Sequence, residues 1–186
     1  MIEPSILRTV ISNTGPLISA FQSRRIDILR QFYDVILIPN SELPEFEEHG
    51  AADEIDDLIE TGFVIVHTLT DAEKPIAQEI AQAIANSPLS KNKEAAHHYS
   101  EAEAIVLMSR PELSAQEILL DELAARQIAQ ARGIHVVGFA GILIRACQQQ
   151  LLAAEDVRDT LMLCQQQGTH YSDRFITEIY TRLTEG

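Results

Sequence analysis

The sequence predicts an α/β protein with a mostly parallel sheet covered by helices on both faces. Three observations carry this reading. Short apolar runs recur along the chain, each stopped by proline, glycine or a polar residue. Each is followed by a stretch with helical spacing. The runs are continuously apolar rather than alternating, as strands buried on both faces require.

Thr9-Val10-Ile11-Ser12 is the first strand, broken by Gly15-Pro16, and Pro16 suits the first turn of a helix. Helical spacing follows over residues 16–23 and 25–33, with Ile26, Leu29 and Phe32 on one face. Val35-Ile36-Leu37-Ile38, ended by Pro39, is the second strand, and residues 41–49 and 53–60 predict short acidic helices. Phe63-Val64-Ile65-Val66 is the third strand. Over residues 71–85, Ile76, Ile80 and Ile84 repeat at helical spacing and predict an amphipathic helix. Residues 86–93, with Ser-Pro, lysine and asparagine, read as an exposed mobile loop.

A helix over residues 100–109 is stopped by Pro111. Glu117-Ile118-Leu119-Leu120 is a strand, residues 122–132 a helix closed by Gly133, and His135-Val136-Val137 the last strand. Residues 141–152, 154–166 and 172–183 predict three closing helices. The expectation is one domain over residues 1–186, with a core over about 8–140 and C-terminal helices over about 141–184.

The formal net charge of −14 argues against a protein that grips nucleic acid over a broad basic face. It leaves room for a small acidic metal site with a local basic rim. No apolar run approaches a membrane span, and the first residues show no secretory pattern. Cys147 and Cys164 have no metal-type spacing and read as buried or half-buried thiols of a reducing cytosol. A cytoplasmic protein without a membrane partner is therefore expected. There is no Walker loop and no G-x-G-x-x-G.

Four polar residues sit where an apolar run hands over to a helix: Asn13, Glu45, Glu101 and Asp121. In open parallel sheets ligands bind outside the carboxyl ends of the strands, and Asn13 and Asp121 fall on that edge. Glu45 lies on the helix leaving the second strand, and Glu101 opens the helix before the strand of Asp121. Carboxylates gathered this closely repel, and a divalent cation relieves the repulsion. Oxygen ligands select Mg²⁺ or Mn²⁺ over zinc.

Each residue also has a plainer reading. Asp121 can cap the following helix, Asn13 can organise an Asx turn, and Glu45 can be one solvated acid among Glu42, Glu47 and Glu48. Ser100-Glu101-Ala102-Glu103 fits a capping box, which occupies Glu103 and leaves Glu101 as the preferred ligand, with Glu103 as a secondary candidate. His97-His98 reads as a solvated pair. Arg126, one turn past Asp121, is a candidate to steady a phosphate, and Lys91 and Lys93 are candidates for a basic rim.

Val10-Ile11-Ser12-Asn13-Thr14-Gly15-Pro16-Leu17-Ile18, Ile38-Pro39 followed by Glu45, Ser100-Glu101-Ala102-Glu103-Ala104-Ile105 and Leu119-Leu120-Asp121-Glu122-Leu123-Ala124-Ala125-Arg126 resemble the successive motifs of PIN (PilT N-terminus) domains. Gly133-Ile134-His135-Val136-Val137-Gly138-Phe139-Ala140-Gly141-Ile142-Leu143 continues the last motif, as in the nucleic-acid-binding branch related to VapC-type toxins. The resemblance implies a three-layer α/β/α fold and Mg²⁺- or Mn²⁺-dependent cleavage of single-stranded RNA. It also implies a toxin role with a small antitoxin protein as partner, and a homodimer. The family's acidic quartet falls on Asn13, Glu45, Glu101 and Asp121, with Glu45, Glu101 and Asp121 as metal ligands.

Asn13 departs from that pattern, because active members carry aspartate there. An amide offers a carbonyl oxygen but no charge. Losing one charge–charge contact near ~4 Å at an effective dielectric of about 20 forfeits on the order of 4 kcal/mol of gross Coulomb energy. One metal held weakly, and slow or silenced catalysis, are the expectation.

Overall fold

The computed structural model describes residues 7–185. At its centre lies a five-stranded, all-parallel sheet in the order β3-β2-β1-β4-β5. The strands are β1 (Thr9–Ser12), β2 (Val35–Pro39), β3 (Val64–His67), β4 (Ile118–Leu119) and β5 (Val136–Val137). Parallel neighbours need crossovers, and the chain supplies them as helices. These are α1 (Thr14–Gln22), α2 (Ile26–Phe32), α3 (Leu43–Glu48), α4 (Ala52–Glu60), α5 (Lys74–Asn86), α6 (Tyr99–Leu107) and α7 (Leu123–Ala131). Three more, α8 (Phe139–Gln148), α9 (Ala154–Gln166) and α10 (Asp173–Glu185), close the fold.

Successive strand residues point to opposite faces, and the core divides accordingly. Val10, Ile36, Ile38, Leu119 and Val137 pack with α1, α2, α3, α4 and the closing helices. Ile11, Leu37, Ile118, Leu120 and Val136 pack on the other face with α5, α6 and α7. The result is a three-layer α/β/α sandwich. The continuously apolar strands are explained, since both sides of the central strands face a core. At the β3 edge the cover thins, and Ile65 is exposed.

Several helix starts differ from the sequence expectation. The helix after β1 begins at Thr14, two residues earlier than read, because Asn13 caps it. The expected helix over residues 71–85 begins at Lys74, because Glu73 Oε2 accepts from the Thr70 N–H and hydroxyl and holds that segment as a turn. The helix after β5 begins at Phe139, directly behind Gly138, and ends at Gln148. The segment over residues 86–93, read as a mobile loop, is tied down. Ser90 Oγ lies 2.9 Å from His98 Nε2, and Lys93 Nζ donates to the Ser87 carbonyl at 2.8 Å. His98 is correspondingly buried, which corrects the reading of His97-His98 as a solvated pair.

No helix among the described residues is long and apolar enough to cross a membrane. Cys164 is buried and Cys147 half-buried, both as free thiols.

A candidate cation site at the switch point of the sheet

Strand order reverses between β1 and β4: the chain runs outward to β2 and β3 on one side and to β5 on the other. Such a switch point opens a crevice at the carboxyl ends of the two strands. The ladder fixes its walls. The Asn13 N–H donates to the Leu119 carbonyl at 3.1 Å, and the Leu120 N–H to the Val137 carbonyl at 3.0 Å. Asn13 and Asp121 therefore leave the sheet side by side.

Asn13 is buried, and its Oδ1 accepts from the Gly15 N–H at 3.1 Å, capping α1. Asp121 does not cap its own helix. Glu122 does so, with Oε2 accepting from the Ala125 N–H at 2.6 Å. Asp121 Oδ1 instead accepts from the Phe139 N–H at 2.9 Å, at the first turn of α8. That bond orients the carboxylate and leaves Oδ2 buried with no partner. Burial pushes the Asp121 carboxyl up to about 6, against the opposing pull of the Phe139 N–H and the Arg126 charge. Arg126 Nη1 donates to the Leu120 carbonyl at 2.8 Å, so its guanidinium is held beside Asp121 without an ion pair. Gly138 makes this arrangement fit. A Cβ there would lie 2.6 Å from Asp121 Oδ1 and 2.7 Å from Arg126 Nη1.

Glu45 and Glu101 form a separate pair. Ser100 Oγ lies 3.1 Å from Glu45 Oε1 and 3.2 Å from Glu101 Oε2. A hydroxyl has one proton, so it satisfies one carboxylate at a time. Burial, and then the Glu45 charge, push Glu101 up to about 7. The expected capping box is absent. A 3₁₀ turn over Ala95–His98 leads into α6 at Tyr99, which moves Ser100 inside the helix and Glu101 to its third position. Glu103 accepts from the Ser41 hydroxyl and does not turn back to the helix start.

Glu42 was grouped with the solvated acids, yet it is fully buried, and neither carboxylate oxygen has a hydrogen-bond partner. Burial drives its pKa well above the usual carboxylate range, and the charges of Glu45, Glu101 and Glu103 push the same way. The Thr14 hydroxyl lies close enough to oppose this, although no hydrogen bond of good geometry joins them. Thr14 follows Asn13 in the chain. Tyr171 is a further neighbour that the sequence reading missed. Its hydroxyl is buried and unpartnered, and the Asp121 charge acts on it.

Among the described residues, buried side-chain polar atoms without partners belong to Thr14, Glu42, His98, Asp121 and Tyr171. Glu42 and His98 act on Glu101 or are acted on by it, Tyr171 on Asp121, and Thr14 on Glu42. Each such atom costs about 1–3 kcal/mol. They fall in two groups: Asp121 with Tyr171, and, around Glu101, Glu42 with Thr14 and His98. Lys91 and Lys93 are exposed at the segment behind His98, and Lys93 is engaged with the Ser87 carbonyl.

A PIN-domain family model matches residues 9–185. The chain belongs to the PIN-domain family. Comparison with curated proteins and with solved structures finds no match. A PIN domain is a nuclease-type or nucleic-acid-binding module, and PIN domains generally use divalent metals.

The residues of this PIN domain suit such an ion in chemistry. Asn13, Glu42, Glu45, Glu101 and Asp121 are all hard oxygen donors. Among the described residues no three His, Cys, Asp or Glu side chains are grouped as a ready metal cage. Mg²⁺ needs no such cage, since it keeps several waters and takes one or two carboxylates plus substrate phosphates.

Proposed function

We propose that this PIN domain is a Mg²⁺- or Mn²⁺-dependent ribonuclease acting on single-stranded RNA, slowed by the amide at Asn13. The observation that supports this most is the unpartnered, buried Oδ2 of Asp121 beside Asn13 at the switch point. An oxygen left bare there can take a partner from outside the chain.

Asp121 and Glu101 are the residues that would hold the ion, with Glu45 beside Glu101 and Asn13 contributing a neutral oxygen. Bound there, a divalent cation supplies charge stabilisation to a phosphodiester under attack and lowers the pKa of water. Glu45 accepts the proton of the attacking water, and the Ser100 hydroxyl orients it. Phe139 N–H keeps Asp121 from rotating. Arg126 contributes positive potential while its Nη1 stays on the Leu120 carbonyl. Asn13 leaves one negative charge fewer in the crevice, so the ion is held less tightly and turnover is slow.

The same reading includes a small antitoxin protein that covers the crevice, and a homodimer. Leu151, Met162 and Phe175, exposed on or beside the closing helices, support an interface there. Sedimentation of the pure protein, alone and with the product of an adjacent small reading frame, tests both.

The decisive experiment incubates pure protein with single-stranded RNA and Mn²⁺ beside Asp121→Ala. Cleavage is expected from the wild type and not from the variant. Equal cleavage by both removes the enzyme reading. RNA binding without cleavage makes the domain a silent nucleic-acid-binding module.

A further inference from the structure

Arg126 stands beside a carboxylate that it does not pair with. Its Nη1 donates to the Leu120 carbonyl at 2.8 Å, while Asp121 Oδ1 accepts from the Phe139 N–H at 2.9 Å. The Cβ position of Gly138 lies 2.6 Å from that oxygen and 2.7 Å from that nitrogen, so both groups face one point. Main-chain partners hold them there without a salt bridge. The other half-buried arginines all pair with an acid: Arg25 with Asp156, Arg110 with Glu73, Arg145 with Glu117 and Arg158 with Asp159. Among the described residues, Nε and Nη2 of Arg126 have no hydrogen-bond partner, and both reach solvent. Asp121 Oδ2, 3.9 Å from the Cβ position of Gly15, has none either. A brace between α7 and β4 would need only the Leu120 bond. What remains is a free anionic oxygen and a free cationic edge, fixed apart.

A ligand that comes alone to either half meets like charge. A cation at Oδ2 feels the guanidinium, which stays protonated at any physiological pH. A phosphate at Nε and Nη2, whose two N–H groups match two phosphate oxygens, feels the Asp121 carboxylate. With both present, each cancels the charge that opposes the other, and such coupling is reciprocal. We propose that Arg126 couples cation and nucleic-acid binding: it resists a divalent cation at Asp121 until its free edge takes a phosphodiester of single-stranded RNA. The inference rests on the reading of Asp121 as a cation ligand. The domain then loads its ion together with its substrate and holds it weakly when empty.

The test is Mn²⁺ titration of the full chain by calorimetry, with and without a single-stranded phosphorothioate oligoribonucleotide, whose linkages keep the charge and resist cleavage. A methylphosphonate oligomer, whose linkages carry no charge, is the control. The phosphorothioate should tighten Mn²⁺ binding to the wild type about tenfold, and the methylphosphonate should not. Arg126→Met should bind Mn²⁺ about tenfold more tightly than the wild type in the absence of oligomer. It should bind the phosphorothioate more weakly in chelator, and the oligomer should no longer tighten Mn²⁺. Arg126→Lys keeps the charge and should stay close to the wild type on both counts. Loss of a mere brace would weaken both ligands together.

Mn²⁺ affinity in Arg126→Met no higher than in the wild type overturns the proposal. So does a wild-type Mn²⁺ affinity that the phosphorothioate leaves unchanged. In either case, loss of Mn²⁺ binding in Asp121→Asn keeps the cation-site reading. If Arg126→Met does not fold, Arg126→Gln, which retains a donor for the Leu120 carbonyl, carries the same expectations. Failure of both to fold makes Arg126 a structural brace and overturns the proposal. A wild type that binds no Mn²⁺, with or without oligomer, removes the proposal and the cation-site reading together.

Discussion

Asn13 Oδ1 and Asp121 Oδ2 both lie against the same backbone position, Gly15. A methyl group on Gly15 would stand 3.4 Å from the first and 3.9 Å from the second. Both distances are ordinary contacts, and they fall at the start of α1, where the helix dipole favours negative charge. A carboxylate would suit that end of the helix as well as an amide. The chain nevertheless places the neutral residue at β1 and the charged one at β4.

Asn13→Asp is therefore expected to strengthen cation binding without disturbing α1. Asparagine and aspartate are about equal as N-caps. The variant should bind Mn²⁺ about tenfold more tightly, about 1.4 kcal/mol, once desolvation has taken its share of the gross Coulomb gain. Metal-free, it should melt at a lower temperature, since a second charge then faces Asp121 unrelieved. Calorimetry and thermal denaturation in chelator check both. Unchanged Mn²⁺ affinity would remove Asn13 from the site.

Gly138→Ala should damage the same site from the other side. The new methyl would meet Asp121 Oδ1 at 2.6 Å and Arg126 Nη1 at 2.7 Å, so one of them must move. The expected cost is about 1–3 kcal/mol of stability, with loss of the Phe139 N–H bond that orients Asp121. Mn²⁺ binding should weaken with it. Gly62→Ala is the control. Its backbone φ of +74° is strained for alanine, but nothing lies within 4 Å, so only stability should fall.

The sheet and the pair Asn13 and Asp121 were legible because their signals are local. An apolar run ended by a polar residue marks both a buried strand and its carboxyl end. Glu42 was not legible. A single 3₁₀ turn carries no periodicity, and Glu45, Glu47 and Glu48 nearby make it look like one more solvated acid. The capping box failed for a related reason: the 3₁₀ turn Ala95–His98 starts α6 one residue early and turns Ser100 from a cap into a bridge between Glu45 and Glu101. Tyr171 reaches Asp121 only through the packing of the closing helices, and no spacing in the chain announces such a contact.

At the opposite edge of the sheet, a cleft of about 390 Å³ is lined by Arg8, Tyr33, Glu117, His135 and Arg145, and predicts a pH effect. Arg145 holds Glu117 bidentately, at 2.8 and 2.9 Å, which pins α8 to the start of β4. Burial pushes the Glu117 carboxyl up, but the Arg145 and Tyr33 hydrogen bonds outweigh it, and the net pKa falls below the ordinary 4.5. A depressed folded-state pKa stabilises above the unfolded value and loses that contribution as pH falls through the folded one. The wild type should therefore exceed Glu117→Gln by about 1–3 kcal/mol at neutral pH, and the gap should close below about pH 4.5. Urea denaturation of both proteins across that range measures it. A gap that widens in acid would reverse the assignment.

Ser100→Ala separates positioning from ligation. The Ser100 hydroxyl lies within reach of both Glu45 and Glu101, and its single proton can serve either carboxylate. Removing it leaves the two acids without their shared hydroxyl partner. Stability should change by less than about 1 kcal/mol, because alanine suits a helix interior and the lost bond is shared. Cleavage of single-stranded RNA at saturating Mn²⁺ should fall about 10–100-fold, as when an orienting partner of a ligand is removed. Threonine at the same position keeps the hydroxyl and should restore most of the rate. An alanine variant that cleaves at the wild-type rate would mean that Glu45 needs no orientation from Ser100, and would separate the two acids into independent roles.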